Sequence, residues 1–156
     1  MHCSYHALHH TPNTSPPLQN DVLHCLHGIQ SDADAEKIEA LETDPRVAPS
    51  ILLGYWRPAN PNYKEDIKKR SQNGFCVTRE GDEFIGVFGL GFKPDSDTPN
   101  RNPYAFITVS PEQQKKGYGV EMLRFLLKHA FVELGMHKVW LQVFSENAPA
   151  IALYHK

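Results

Sequence analysis

The chain has little net charge, few cysteines and no long apolar run. Its 16 basic and 18 acidic residues give a formal net charge of −2, which provides no basic field for nucleic acid or for an anionic membrane. Cys3, Cys25 and Cys76 are too few and too scattered for a disulfide framework, and their spacing fits no zinc site. No apolar stretch approaches a membrane span, and the first residues lack the blocks of a secretory signal. We therefore expect a cytoplasmic protein without a metal.

What remains is enough for one domain with a sizeable core, because the chain has 156 residues. Residues 1–20 are rich in His, Pro, Ser and Asn and show no periodic apolar pattern. Such a segment cannot bury enough apolar surface to offset its loss of chain entropy. We predict a disordered tail over residues 1–20 and a folded domain over residues 21–156.

The apolar pattern of the domain predicts strands and helices in a mixed order. Ser31 is expected to cap the first helix, with Asp34 at the capping-box position. The early strands form hairpins and the later ones are joined through helices, which favours a single mixed α/β sheet. The predicted strands cover residues 22–29, 75–79, 83–92, 104–109 and 138–144, and the predicted helices cover residues 31–43, 63–71, 119–134 and 148–156.

One stretch has the chemistry of anion capture, namely FITVSPEQQKKGYGV over residues 106–120. A hydrophobic strand ends at Ser-Pro, and a basic turn then opens a long amphipathic helix, whose first N–H groups have no partners within the helix. Gly117 and Gly119 would let a phosphate approach the backbone, and Lys115 and Lys116 add positive charge. The stretch is neither a Walker loop nor a dinucleotide fingerprint. Taken alone, it could also be an ordinary tight turn.

The segment QKKGYG at residues 114–119 resembles the Q/R-x-x-G-x-G/A motif of the GNAT superfamily of acyl-CoA N-acyltransferases. The preceding Val109-Ser110-Pro111 is similar to that family's usual entry to the motif. The resemblance implies that the turn binds the pyrophosphate of coenzyme A through backbone N–H groups, and that the strand before it splays from the next strand to receive the pantetheine arm. The implied cofactor-binding residues of the turn are Gln114, Lys115, Lys116, Gly117, Tyr118, Gly119 and Val120.

A second similarity lies in the late helix, where Asn147, Ala150 and Tyr154 match the family's pattern after a strand. Asn147 and Tyr154 are seven residues apart, which places them on one face of a helix. The resemblance implies that Asn147 contacts the pantetheine arm and that Tyr154 is the general acid. Without the resemblance, Tyr154 would be read as a packed helix tyrosine.

The implied reaction is direct attack of an amine on the thioester of acetyl-CoA. In the splayed strand, the N–H of Ile107 would bind the oxyanion and that of Val109 would pair with the pantetheine amide. We assign no general base, because Glu83 and Glu146 are equally well explained as solvated residues. The acceptor would be a small-molecule amine or an amine of a protein or peptide. One alternative is a catalytically impaired or inactive, truncated GNAT domain that binds CoA or a partner. Another is a phosphate-binding α/β module unrelated to acyl transfer.

The resemblance covers about residues 22–156 and implies a GNAT-like, mostly antiparallel, twisted sheet with flanking helices. The segment DADAEKIEALETDPRVA with its hairpin resembles the ribosomal-protein and small-molecule branch. Tyr55 and Trp56 could line the acceptor pocket, although core packing is the more usual role of such residues.

In the family, the late helix leads into two further strands. We therefore expect a domain incomplete at its C-terminus, with an open edge on the strand at residues 139–144. On this expectation the chain is less stable and less active than a full domain, and a two-strand tail would raise its melting temperature.

Overall fold

The computed structural model describes residues 3–8, 25–29, 31–51, 61–70, 73–78, 83–91 and 102–155, and its centre is one six-stranded sheet. The strands are β1 (Cys3–Leu8), β2 (Cys25–Gly28), β3 (Asn73–Thr78), β4 (Phe84–Gly91), β5 (Tyr104–Val109) and β6 (Val139–Phe144). The helices are α1 (Asp32–Thr43), α2 (Ala48–Ile51), α3 (Tyr63–Arg70), α4 (Tyr118–Lys128) and α5 (Ala148–Tyr154), with a 3₁₀ turn at Pro111–Gln113 and a π-helical turn at His129–Glu133. No helix in these described ranges combines the length and the apolar character needed to cross a bilayer.

The spatial order of the strands is β1-β6-β5-β4-β3-β2. Every neighbouring pair is antiparallel except β5 and β6, which are parallel and joined through α4. A parallel pair needs such a crossover, whereas the hairpin of β3 and β4 does not. The predicted mixed, mostly antiparallel sheet is thus confirmed.

The parallel strands β5 and β6 touch only at their beginnings. Tyr104 lies opposite Trp140, and this is the one paired position between the two strands in the described part of the chain. The N–H of Trp140 donates to the carbonyl oxygen of Pro103 at 3.1 Å. Beyond this point the strands separate, so the predicted splay of the central strands is confirmed and a gap opens between them.

Helices cover both faces of the sheet. On one face, Phe88 and Leu90 of β4 pack with Met122 and Leu126 of α4 in a buried cluster. On the other face, Val87 packs with buried side chains from α1 and α3, which include Ala35, Ile38 and Ile67. We refer to these as the α4 face and the α1 face.

A β-bulge changes the expected alternation in β4. Val77 of β3 lies opposite Gly86, but the next residue, Thr78, lies opposite Phe84, so Ile85 is the extra residue. Ile85 therefore joins Phe88 on the α4 face, while Phe84 packs toward the α1 face. A strict period of two along this strand predicts Phe84 and Phe88 on one face, and the bulge makes that prediction wrong.

The start of α1 follows the sequence prediction. The N–H of Asp34 donates to Ser31 Oγ at 3.0 Å, and the N–H of Ser31 donates to Asp34 Oδ2 at 3.4 Å. Both halves of the capping box are therefore present. The helix ends at Thr43, with Asp44 as its C-cap.

The prediction of disorder is wrong for residues 3–8, which form β1. This strand runs antiparallel to β6 with Cys3 opposite Phe144 and Leu8 opposite Val139. The expected open edge on β6 is therefore covered along the whole strand. The pairing partner lies far away in the sequence, so no local pattern announces it. The rest of the predicted tail, Tyr55 and Trp56 lie outside the described residues.

Candidate active site

The gap between β5 and β6 is a cavity of about 360 Å³. Its walls come from α2, from both separated strands and from the segment that begins α5. Both polar and apolar groups line it. The described lining residues are Ser50, Ile51, Tyr104, Ala105, Phe106, Ile107, Thr108, Trp140, Gln142, Val143, Phe144, Asn147, Ala150 and Tyr154.

One wall is formed by α5 and the residue that caps it. The N–H of Ala150 donates to Asn147 Oδ1 at 3.2 Å, so Asn147 is the N-cap and its amide is held in place. Asn147, Ala150 and Tyr154 all line the cavity. The spacing of three and four residues therefore puts one helix face against the gap, as the sequence indicated.

Tyr154 is half-buried in this wall. Burial raises the pKa of its phenol above the ordinary value near 10. Among the described residues, none accepts a hydrogen bond from its hydroxyl group. A phenol with a raised pKa stays protonated through neutral pH, so Tyr154 can donate a proton to a ligand in the cavity.

The opposite wall is β5, and its backbone presents N–H groups to the gap. The N–H of Ser110 donates to the carbonyl oxygen of Ile85 at 2.9 Å, so Ser110 faces β4. N–H directions alternate along a strand, hence the N–H groups of Ile107 and Val109 face away from β4. Ile107 lines the cavity, whereas Val109 is not among its described lining residues. A donor that faces such an opening can bind an oxygen of a ligand.

The turn before α4 adjoins the end of β5. Gly117 has φ +95° and is the N-cap of α4, and nothing lies within 4 Å of the position that a Cβ would take there. Lys115 also has a positive φ, of 63°. Within the described chain, no hydrogen bond engages the N–H groups of Lys115, Lys116 or Gly117. The turn therefore offers an exposed row of donors that an anion can approach.

Gly119 has a different surrounding. A Cβ on Gly119 would lie 3.3 Å from Leu153 Cδ2 and 3.9 Å from Val109 Cγ2. The absence of a side chain at this position thus allows α4 to lie close to α5 and to the end of β5. Gly119 therefore lies between α5, which carries Tyr154, and the turn at residues 114–117. We call this turn the phosphate turn, after the ligand that the resemblance implies.

Glutamine side chains hold the turn in place. Gln114 Nε2 donates to the carbonyl oxygen of Val109 at 3.2 Å. The buried Gln113 donates through Nε2 to Glu83 Oε1 and accepts through Oε1 from Lys116 Nζ at 2.9 Å. Lys116 and Glu83 are therefore both tied to Gln113.

The structure brings the predicted site residues together in two adjoining places. Ile107, Asn147 and Tyr154 share the cavity, whereas Gln114 to Val120 form the turn at its end. Lys115 and Lys116 are exposed, while the Tyr118 side chain lies in the core of the α4 face. Neither of the considered bases, Glu83 and Glu146, is among the described lining residues.

Sequence reasoning missed the side chains that line the α1 face of the cavity. They occupy every second position of the two strands. Because alternate side chains of a strand point to the same face, this alternation could have predicted them once the gap between β5 and β6 was expected. These residues are Tyr104, Phe106 and Thr108 on β5, and Trp140, Gln142 and Phe144 on β6.

One protein family matches most of the chain. Residues 35–156 match the acetyltransferase (GNAT) family. The chain belongs to this family. Among the residues described, no group of three or more His, Cys, Asp or Glu side chains could hold a metal ion.

The similar curated proteins of this family are polyamine acetyltransferases. The spermidine N(1)-acetyltransferase of Vibrio cholerae is 28% identical over 94 residues, which is 60% of this chain and 53% of that protein. The spermine/spermidine N(1)-acetyltransferase of Bacillus subtilis is 30% identical over 80 residues, which is 49% of this chain and 52% of that protein. The chain thus spans about half the length of the curated relatives it matches.

Solved structures agree on the fold. The spermidine N-acetyltransferase from Vibrio cholerae in complex with CoA and spermine superposes with a TM-score of 0.70 at 22% identity. The superposition covers 84% of this chain and 77% of that one. At this identity the likeness supports the GNAT fold alone.

Proposed function

We propose that the chain transfers the acetyl group of acetyl-CoA to a primary amine. The observation that carries this proposal is that Tyr154 and Ile107 line one cavity, and that the turn after β5 has an exposed row of backbone donors. Membership of the GNAT family supports acetyl-CoA as the donor. A cytoplasmic location, expected from the few scattered cysteines, belongs to the same proposal.

The phosphate turn holds the nucleotide end of the cofactor. The N–H groups of Lys115, Lys116 and Gly117 would bind the pyrophosphate, helped by the positive end of α4. Lys115 and Lys116 add charge at the exposed rim. Asn147 and the N–H of Val109 would then hold the pantetheine arm in the gap.

The chemistry takes place at the middle of β5. The neutral amine attacks the thioester carbon, and the N–H of Ile107 stabilises the oxyanion that develops. The carbon–sulfur bond then breaks, and Tyr154 protonates the departing thiolate. A thiol pKa of about 8.5 and a phenol pKa of about 10 are close enough for this transfer.

A CoA-binding domain without turnover is the second candidate. It is favoured by the chemistry of the described cavity lining, in which no carboxylate or imidazole could take a proton from an ammonium to give the neutral amine that attacks. On this reading, the turn binds CoA and the gap holds the arm, but no acceptor is activated.

Two measurements separate these candidates. Calorimetry with acetyl-CoA tests the shared cofactor site, and thiol release from acetyl-CoA with a panel of primary amines tests transfer. Polyamines belong in the panel because similar curated proteins are named for them. Binding with amine-dependent thiol release supports the first candidate, and binding without release supports the second. Absence of binding at millimolar acetyl-CoA contradicts both.

A further inference from the structure

The ring of Tyr104, which lines the cavity, lies over a glycine of the neighbouring strand. Tyr104 pairs with Gly91 across β4 and β5. A Cβ built on Gly91 would lie 2.0 Å from Tyr104 Cζ and 2.3 Å from its hydroxyl oxygen. Such distances are far inside contact, so no larger residue fits there with the ring in this place. The absence of a side chain at Gly91 therefore leaves the room that the ring of Tyr104 occupies.

The indole of Trp140 completes this surface. Its ring centroid lies 5.6 Å from that of Tyr104, and the two planes are tilted by 52°. Its Nε1 donates to the carbonyl oxygen of Asn102 at 3.2 Å, which holds the ring in one orientation. We call Tyr104 and Trp140, with Gly91 beneath them, the aromatic shelf.

The aromatic shelf lies at the start of β5, away from the turn that follows the end of this strand, and we take this end of the gap as the acceptor side. Both of its rings line the cavity. Phe106, two residues along β5, faces the α1 face, whereas Ile107 packs toward α4. Tyr104 is two residues before Phe106 on β5, so its side chain lies on the same face of the sheet as that of Phe106. Tyr104 is three residues from Ile107, a separation of about 10 Å along a strand. A molecule with its nitrogen at Ile107 can thus rest its remaining atoms on the rings.

We propose that the acceptor is a primary amine carried by a flat, uncharged body, such as an arylalkylamine. This inference rests on the proposed function. Two neighbouring aromatic rings, of which that of Trp140 is oriented by its hydrogen bond, favour an aromatic or apolar body through stacking and burial. The described lining also supplies amide and hydroxyl groups from Gln142 and Thr108, but no carboxylate that would pair a second ammonium taken out of water.

In the transfer step, the amine nitrogen forms a bond to the acetyl carbon and the carbon–sulfur bond breaks. The proton lost by the nitrogen passes to solvent, and the thiolate receives one from Tyr154, which solvent restores. No oxidant or further reactant is needed. The body of the acceptor stays on the shelf throughout.

The test compares three amines of similar reach, phenethylamine, n-butylamine and diaminobutane, at saturating acetyl-CoA. We expect kcat/KM for phenethylamine to exceed that for diaminobutane by about tenfold or more, mainly through KM. Trp140→Leu should remove most of this preference and leave the KM for acetyl-CoA unchanged. Trp140→Phe retains an aromatic ring and should retain most of the preference.

A preference for diaminobutane or spermidine over phenethylamine overturns the inference while the proposed function stands, and so does an unchanged preference in Trp140→Leu. If acetyl-CoA binds and no amine is acetylated, the proposed function fails. The shelf is then tested by saturation-transfer NMR of the acetyl-CoA complex. Contact of the phenethylamine ring in the native chain but not in Trp140→Leu supports the shelf, and no contact in either overturns it.

Discussion

At the scale of the residue, the proposal makes Tyr154 the general acid. We expect Tyr154→Phe to lower kcat by about a hundredfold, since general acid catalysis contributes on that order or more. The Kd of acetyl-CoA should stay the same, because the ring remains in the wall of the cavity. Steady-state kinetics and calorimetry measure the two quantities.

Tyr63→Phe is the matched control for this substitution. The Tyr63 hydroxyl donates to Glu42 Oε2 between α3 and α1, and Tyr63 is not among the described lining residues. Its loss should leave kcat unchanged and cost about 1 kcal/mol of unfolding free energy. Equal kcat values for both variants would mean that Tyr154 is not the acid.

The pH profile gives a second test of the same phenol. Burial raises the pKa of Tyr154, so the protonated acid persists below about pH 10 and is lost only as the pH rises through the raised pKa. We expect kcat of the native chain to fall at high alkaline pH and the slower Tyr154→Phe variant to lack this fall. A fall at the same pH in both would assign it to another group.

Substitutions of Gly117 and Gly119 should have different effects. Gly117→Ala places a side chain at φ +95°, which costs about 1–2 kcal/mol and reorients the exposed N–H groups. We expect weaker binding of acetyl-CoA, measured by calorimetry. Gly119→Ala instead brings a Cβ to 3.3 Å from Leu153 Cδ2, so the side chain next to Tyr154 in α5 has to shift by a few tenths of an ångström. It should lower kcat more than affinity, and the same loss of affinity in both variants would contradict this assignment.

At the scale of the element, the buried Gln113 ties the phosphate turn to the start of β4. Gln113→Leu preserves the size of the side chain and removes its bonds to Glu83 and Lys116. We expect a loss of about 1–3 kcal/mol in unfolding free energy, together with weaker acetyl-CoA binding. Denaturant unfolding and calorimetry measure these effects.

A double-mutant cycle with Glu83→Ala isolates the contact between strand and turn. The coupling energy should be at least about 0.5 kcal/mol, because the two side chains share one hydrogen bond. Strictly additive losses would show that Gln113 acts by packing alone. Glu112→Gln, an exposed change in the same turn, serves as the control for general disturbance.

The elements that sequence predicts best are those with local signals. The capping box at Ser31, the strand at Tyr104–Val109 and the helix after Gly117 all follow from residues within a few positions of each other. The same holds for Asn147 and Tyr154, whose shared face follows from helix geometry. Features that depend on contacts distant in the sequence could not be predicted from it. These features are the bulge at Ile85, the position of the Tyr104 ring over Gly91, and the strand β1.

At the scale of the whole molecule, β1 closes an edge that the apolar strand β6 would otherwise expose. We expect deletion of residues 1–8 to lower the melting temperature and to promote association, because an uncovered edge pairs with other chains. Thermal unfolding and light scattering at several protein concentrations measure both effects.

Deletion of residues 1–2 alone is the control, since it leaves Cys3–Leu8 intact. It should change neither quantity. If removal of residues 1–8 likewise changes neither the melting temperature nor the scattering, β1 does not contribute to the stability of the sheet. Acetyl-CoA binding reports separately whether the gap between β5 and β6 survives the deletion.

The pairing of β1 with β6 also has a consequence during synthesis. β1 is made before every other described strand, yet its partner is the last of them to be made. At ribosomal rates, an interval on the order of ten seconds separates the two. Through that interval, the hydrogen-bonding groups of β1 have no place in the sheet, so this segment is the natural target for a chaperone acting on the nascent chain.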